Sequence, residues 1–401
     1  MKKVILSLAV TGTFGFSGGD LDNYTYVNPD TTNAQIELLK EEIENLKSKV
    51  SKLENQKPQV KTKEIIKIKE APKALKSSGT TIKSKAGVLK FSGTHYLGFV
   101  HTEPEKGDSD DKFETRRNYL QVKAYFKENP KDYMRLTLDT HTDSEGETNV
   151  RLKYAYLYLD DILPYTGVEF GQAHRPWIDY EEHSGWLYRS IAKTFVEEKQ
   201  GAHFTNSADR GVNFKTKTDY FSSEIGLFNG EGYHSIDRDE PKNRGLSFEW
   251  RLTANMLGTG KKHLHARKDT YANLSFFGQY NNKNIGNEDF KWYGVHAVYN
   301  RPSFLVGGMY VVADEIDNSS KTGDGFSING EYRPAPKWSL LARYDSFSAD
   351  NGVDREEYIA GVAYDYNKNV KFIGNLFHID SDTDIDDNGE DRFMLTAEVK
   401  W

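Results

Sequence analysis

The sequence predicts an all-β protein: a 16-stranded antiparallel transmembrane β-barrel preceded by a short N-terminal α-helical coiled coil. Three observations carry this. The last dozen residues alternate Phe393, Leu395, Ala397, Val399 and Trp401 with Arg392, Met394, Thr396, Glu398 and Lys400, the period of a strand with one apolar face that stops on an aromatic. The same two-residue period recurs back to about Val88. Only 37% of the chain is AVILMFWYC, yet 13% is aromatic, with 24 Tyr and 22 Phe, and the mean hydropathy is -0.72. A barrel gives this composition because each strand needs only half its residues apolar, while aromatics gather at the two membrane interfaces. Beyond the N-terminus no run approaches the ~20 apolar residues of a membrane helix, so spanning structure must be made of strands.

Taken in order, Lys2 and Lys3, the mostly apolar stretch Val4 to Phe16 and the small residues Ser17, Gly18 and Gly19 read as a signal peptide over 1–19. A short apolar strand is the plainer alternative. The absence of cysteine excludes disulfides and zinc–thiolate sites and suits an exported chain. A net charge of -7 argues against nucleic acid as a partner. Residues 20–56 follow as a periplasmic segment. Within it Ile36, Leu39, Ile43, Leu46, Val50 and Leu53 recur three and four apart, predicting a coiled coil over 32–55 with Thr32 and Gln35 as its capping box. Residues 57–85 are rich in Lys and carry Pro58 and Pro72, which describes an extended cationic linker. Residues 20–85 thereby offer contact with peptidoglycan or phospholipid head groups, against a plain solvated spacer.

The barrel occupies 86–401. Its sixteen segments fall near 88–100, 114–127, 132–141, 149–159, 165–173, 209–218, 220–228, 244–257, 270–281, 290–300, 303–313, 324–333, 337–347, 356–366, 369–379 and 391–401. The connections alternate in kind. One set is short and often carries Pro, as at Asn129-Pro130, Arg301-Pro302 and Pro334-Ala335-Pro336, with the basic stretch Gly258 to Asp269 as its long exception. The other set is longer and acidic. Outer-membrane barrels show this pattern, with turns in the periplasm and loops outside, which puts both termini on the periplasmic side. A soluble β-sandwich gives no reason for it.

A barrel of this size encloses an aqueous channel, so function belongs on the inward face and on any loop folded inside. The third long connection, His174 to Asn206 (L3), is the candidate. Its aromatic half, with Trp177, Tyr180, Trp186 and Tyr188, is joined to charges of both signs. Arg175, Asp179, Glu181, Glu182, Arg189 and Lys193 are the expected pore constriction, where opposed charges set a transverse field that filters solutes by size and sign. The alternative is an outward lid or a subunit contact.

Around L3 the residues resemble a known family. Gly171-Gln172-Ala173-His174-Arg175-Pro176, then Ser207-Ala208-Asp209-Arg210-Gly211-Val212 and Phe228-Asn229-Gly230-Glu231-Gly232-Tyr233, are similar to bacterial outer-membrane porins related to the phosphate-selective porin O and P family. The resemblance implies a homotrimer of sixteen-stranded barrels, a third loop folded inside and passive solute uptake. Phosphate-selective members use a dense arginine arrangement, whereas here Arg175, Arg189 and Lys193 are interleaved with acids, so the resemblance leaves phosphate preference open.

Residues opposite the apolar stripes are expected to line the pore: Arg135, Asp139, Arg151, Lys153, Lys215, Lys217, Glu249, Arg251, Arg343 and Arg392, with Glu331, Asp345 and Glu398. Bases outnumber acids here, which favours a mild anion preference. A one-residue slip in register would exchange the faces. The densest acidic run lies in the last outer loop, and Asp382, Asp384, Asp386 and Asn388 suit loosely bound Ca2+ or another hard divalent cation bridging lipopolysaccharide phosphates. Leu395 stands where an EF-hand needs Glu, which rejects that motif. No cofactor is expected, and His95, His141, His174 and His183 come with no catalytic signature. The expected function is a passive diffusion channel for small hydrophilic solutes or ions in the bacterial outer membrane. The alternative is a structural protein that tethers this membrane to peptidoglycan.

Overall fold

The structure is a computed structural model. It describes scattered residues between 37 and 51, then 80–83, 87–143, 146–234, 245–285, 288–314, 321–382 and 389–401. The chain divides into two compact units, Met1–Ala74 and Leu75–Trp401. In the first, the described residues from Glu37 to Ser51 are helical and exposed. The apolar positions on which the coiled coil was predicted, Ile36 to Leu53, lie outside the described residues, as do the signal peptide and most of the linker.

In the second unit the linker prediction is corrected at its end. Thr80–Lys83 (β1) is a short strand paired antiparallel with the start of β2. This works because β2 (Gly87–Pro104) is longer than its other neighbour on that side, which pairs only from Thr94 onward and leaves the earlier backbone groups of β2 open.

Sixteen further strands make the barrel. They are β2, β3 (Asp110–Phe126), β4 (Tyr133–Thr142), β5 (Thr148–Leu163), β6 (Thr166–His174), β7 (Ala208–Lys217), β8 (Phe221–Phe228) and β9 (Ser247–Leu257) in one half. The other half is β10 (Tyr271–Ile285), β11 (Glu288–Arg301), β12 (Phe304–Asp314), β13 (Gly323–Ala335), β14 (Trp338–Ala349), β15 (Asp354–Asp365), β16 (Val370–Asp382) and β17 (Glu390–Lys400). Each strand from β2 to β17 pairs antiparallel with the next. The register of β17 against β2, from Lys400↔Thr94 to Glu390↔Pro104, closes the ring. Closure removes free edges, and in lipid every backbone group then has a partner.

Alternation sets the two faces. In β17, Phe393 and Leu395 point outward at 40% and 48% exposure while Met394, Thr396 and Glu398 are buried inside. Val306, Ile328, Leu340, Phe372 and Leu376 are likewise exposed, an apolar outer wall of the kind that meets hydrocarbon. None of the described helices is long and apolar enough to cross a membrane.

Candidate functional site

L3 lies inside the barrel. Its first turns form α1 (Ile178–Ser184), with Asp179 and Glu181 in the first turn and His183 in the last, the arrangement a helix dipole favours. Two apolar clusters hold L3 to one side of the wall. Trp177, Ile178, Phe195 and Phe204 pack on Phe277, Trp292, Val311 and Phe347 of β10 to β14, and the Trp177 ring stacks on Phe277 with centroids 3.6 Å apart. Trp186, Tyr188 and Ile191 pack on Val100, Leu341, Ile359 and Phe377. These inward apolar residues depart from a wholly polar lumen because they bury the loop, and burial of this kind is the main force available to hold it.

Polar tethers complete the attachment. The Tyr271 hydroxyl donates to the Ser184 carbonyl at 2.9 Å, Arg251 Nε donates to the Pro176 carbonyl at 3.2 Å, and Arg343 donates to the Lys193 carbonyl. On the opposite side Arg116 reaches the Ser190 carbonyl at 3.1 Å. Strands from both halves of the barrel thus grip one loop.

What remains open is a cavity of about 310 Å3 between the polar edge of L3 and the wall of β2 to β6. Asp179, Glu182, His183 and Arg189 line it from the loop; Arg135, Lys153, Tyr119, Tyr154 and His174 line it from the wall. Arg189 holds both Glu182 and Glu197, its Nη2 donating to Glu197 Oε1 at 2.9 Å. Burial alone would raise the Glu197 carboxyl, but the Arg189 charge and hydrogen bonds hold it below the usual carboxylate range. Asp179 sits 3.6 Å from His174 and 3.7 Å from His183. Burial opposes its charge, but His174, His183 and Lys215 around it outweigh that and hold its carboxyl below the usual carboxylate range.

Three of the six expected constriction residues do not line this gap. Arg175 is 3% exposed and clamps the root of L3, donating to Asp209 at 2.8 Å and to the Gly230 carbonyl at 3.0 Å, with Glu249 at 3.5 Å. Glu181 turns away from the gap and is 2% exposed, and burial pushes its carboxyl up to about 8. In both cases neighbours in space, not position in the loop, set the orientation. Lys193 is half-buried, its backbone N–H donating to Glu198 at 2.9 Å.

Of the expected lining residues, Asp139, Lys153, Lys215, Glu249, Arg251 and Arg343 are buried on the inner face. Many are spent on one another. Lys215 bridges Glu169 and Glu224, Arg251 reaches Glu224, and Arg343 is paired with Asp345. Arg392 pairs with Glu390, and Lys217 stays exposed beside the long turn. Arg135 and Lys153 lie in the gap, and Arg151 stands beside Lys153 on β5. A β-bulge between Thr137 and Leu138 pairs Tyr154 with Thr137 and Leu152 with Leu138, so Lys153 and Tyr154 both face inward.

Sequence reasoning missed Arg117, Tyr119 and Lys123 on β3. Alternation from Leu120 and Val122 would have found Lys123. The same parity gives Tyr119 and Arg117, whereas Arg116 is turned to L3 by a bulge that pairs Arg117 with Tyr96 and Thr115 with Leu97, which no periodicity reveals. It also missed what the long turn does. Gly258 to Asp269 folds over the turn-side end, with Arg267 at 3.1 Å from Asp365, Asn300 donating to the Ala266 carbonyl at 2.9 Å, and Leu264 packed near Leu187 of L3. Asp384, Asp386 and Asn388 lie outside the described residues, and only the backbone of Asp382 is described.

No family model matches the chain, and no curated protein matches it. Solved structures do. The anion-selective porin from Comamonas acidovorans superposes with a TM-score of 0.57 at 11% identity, over 78% of this chain and 99% of that one. Pseudomonas putida OprB gives 0.56 at 10% identity, over 78% and 94%. The trimer form of Vibrio cholerae OmpT, an outer membrane protein, gives 0.52 at 15% identity, over 79% and 100%. The chain therefore has the barrel fold found in outer-membrane porins.

Proposed function

We propose that this chain is an outer-membrane porin, a water-filled channel for passive diffusion of small hydrophilic solutes or ions with a mild preference for anions. One observation carries the reading: a closed barrel with an apolar outside holds a loop inside it and leaves a charged gap beside that loop. Anion preference is supported by the wall of β3 to β5, where Arg117, Lys123, Arg135, Arg151 and Lys153 face inward and, among the described residues, Asp139 pairs with Arg117 and Arg151 alone. Asp179 and Glu182 oppose them from L3, so a solute crosses a transverse field. The constriction is formed by Asp179, Glu182 and Arg189. A homotrimer agrees with the trimer form of the Vibrio cholerae protein of similar fold. The barrel would stand in lipid with its N-terminal segment in the periplasm, and loose divalent cation binding in the last outer loop belongs to the same reading.

Deletion of Tyr180 to Lys199 tests it. In planar bilayers the shortened protein should conduct several times better than the full chain, since pore radius controls flux. Equal conductance would overturn the constriction, and a full chain that never conducts would overturn the channel.

A further inference from the structure

Beside the constriction, three cations gather on the wall with little to balance them. Arg117 and Arg151 approach the same oxygen of Asp139, at 3.4 and 3.1 Å. The other Asp139 oxygen is buried and accepts no hydrogen bond among the described residues. Lys153 is 4% exposed, and among the described residues no carboxylate lies within ion-pair distance of its ammonium. It donates to the Tyr119 hydroxyl at 3.3 Å. Three cations against one carboxylate leave a surplus of two charges. Across the gap Arg189 is held by two carboxylates, Glu182 and Glu197, which leaves one negative charge on the loop side and the cationic surplus on the wall.

Phenol rings stand between these cations. Lys153 lies 4.6 Å from the Tyr119 ring centroid and Arg151 lies 5.0 Å from that of Tyr233. The Tyr233 hydroxyl is buried, belongs to a residue 6% exposed, and has no hydrogen-bond partner among the described residues. A buried donor left unmade is costly, and this one stands beside the surplus charge.

We propose that this cluster is a saturable binding site for small organic polyanions, molecules whose carboxylates are spread over a carbon skeleton, with Lys153 at its centre. The proposal rests on the channel reading and deepens it by naming a solute class. Carboxylate oxygens accept from Lys153, Arg117, Arg151 and the free Tyr233 hydroxyl, as charge-assisted bonds do best. The carbon skeleton lies against the tyrosine rings, where an inorganic oxyanion has nothing to contact. Further along the same wall, Lys123 and Arg135 give the anion a second stop. Arg135 is four residues from Asp139 on β4, or roughly 13 Å along the strand.

The test is block of single-channel current in potassium chloride by added citrate, compared with inorganic phosphate. Citrate is expected to interrupt the chloride current saturably, with phosphate at least about tenfold weaker. Lys153→Met should raise the half-blocking citrate concentration about tenfold or more, the loss of one charge-assisted contact, and Tyr233→Phe by a smaller factor. Lys368→Met, on the distant turn-side rim, should leave block unchanged. Equal block by phosphate and citrate, or no effect of either cluster variant, overturns the proposal. If Lys153→Met does not fold, Tyr233→Phe decides. A chain that forms no channel refutes the channel reading instead, and calorimetric titration of the detergent-solubilised barrel with citrate then judges the site alone.

Discussion

Lys123 and Arg135 are direct register partners across β3 and β4, both on the inner face, and among the described residues neither has a carboxylate within ion-pair distance. Like charges in this position destabilise a sheet. They are tolerable where water or a passing counter-ion fills the space between them, which is what a lumen provides and a packed core does not.

Neutralising that pair should change selectivity more than conductance. In Lys123→Met/Arg135→Met the reversal potential in a salt gradient should move toward the cation side, because the wall loses two charges while Asp179 and Glu182 stay. An unmoved reversal potential would show that selectivity is set elsewhere.

Arg189 is the electrostatic pin of L3. Arg189→Met leaves Glu197, which is 2% exposed, without its bidentate partner, and breaking such a buried pair costs about 3–5 kcal/mol. Either the loop loosens or Glu197 takes up a proton. Protease nicking between Trp186 and Lys199 and noisier single-channel current are the expected readouts, with Arg189→Lys recovering part of the loss.

Glu181 gives L3 a pH dependence with a definite sign. Its folded carboxyl titrates at about 8 because it is buried, whereas an unfolded or released Glu titrates at about 4.3. Below that lower value both states are protonated and nothing is lost. As pH rises toward 8 the released state sheds its proton first, so anchoring of L3 weakens through that window and levels off above it. Current noise should therefore grow between pH 6 and 9 in the native chain and stay flat in Glu181→Gln.

The seam of the barrel depends on Gly93. Its N–H donates to the Trp401 carbonyl at 2.9 Å and its carbonyl accepts from the Trp401 N–H at 3.1 Å. A Cβ on Gly93 would stand 2.5 Å from the indole. Gly93→Val should lower the thermal midpoint of the barrel, and Gly93→Val/Trp401→Ala should recover part of it, a coupling that a double-mutant cycle measures.

The sixteen strands were legible because a sheet in lipid obeys a strict rule: alternate residues face hydrocarbon, so the period of two is written from Val88 to Trp401. L3 was legible by its length and its mixture of Trp, Tyr and charge. The short strand at Thr80–Lys83 was not, since its residues carry no apolar stripe and pair only because β2 outruns β17.

Within the site the limit falls at individual side chains. Arg175 and Arg189 look alike along the chain, yet one locks the root of the loop to Asp209 and the other faces the gap. Glu181 and Glu182 are adjacent, yet α1 turns one into the protein and the other toward Arg189. The amino-acid order determined which face of each strand is apolar, because that depends on parity alone. Only the tertiary structure decided which charges are spent on each other and which are left open to a solute, because pairing is set by distances across strands and loop that are remote in sequence, and by bulges that shift a face by one residue.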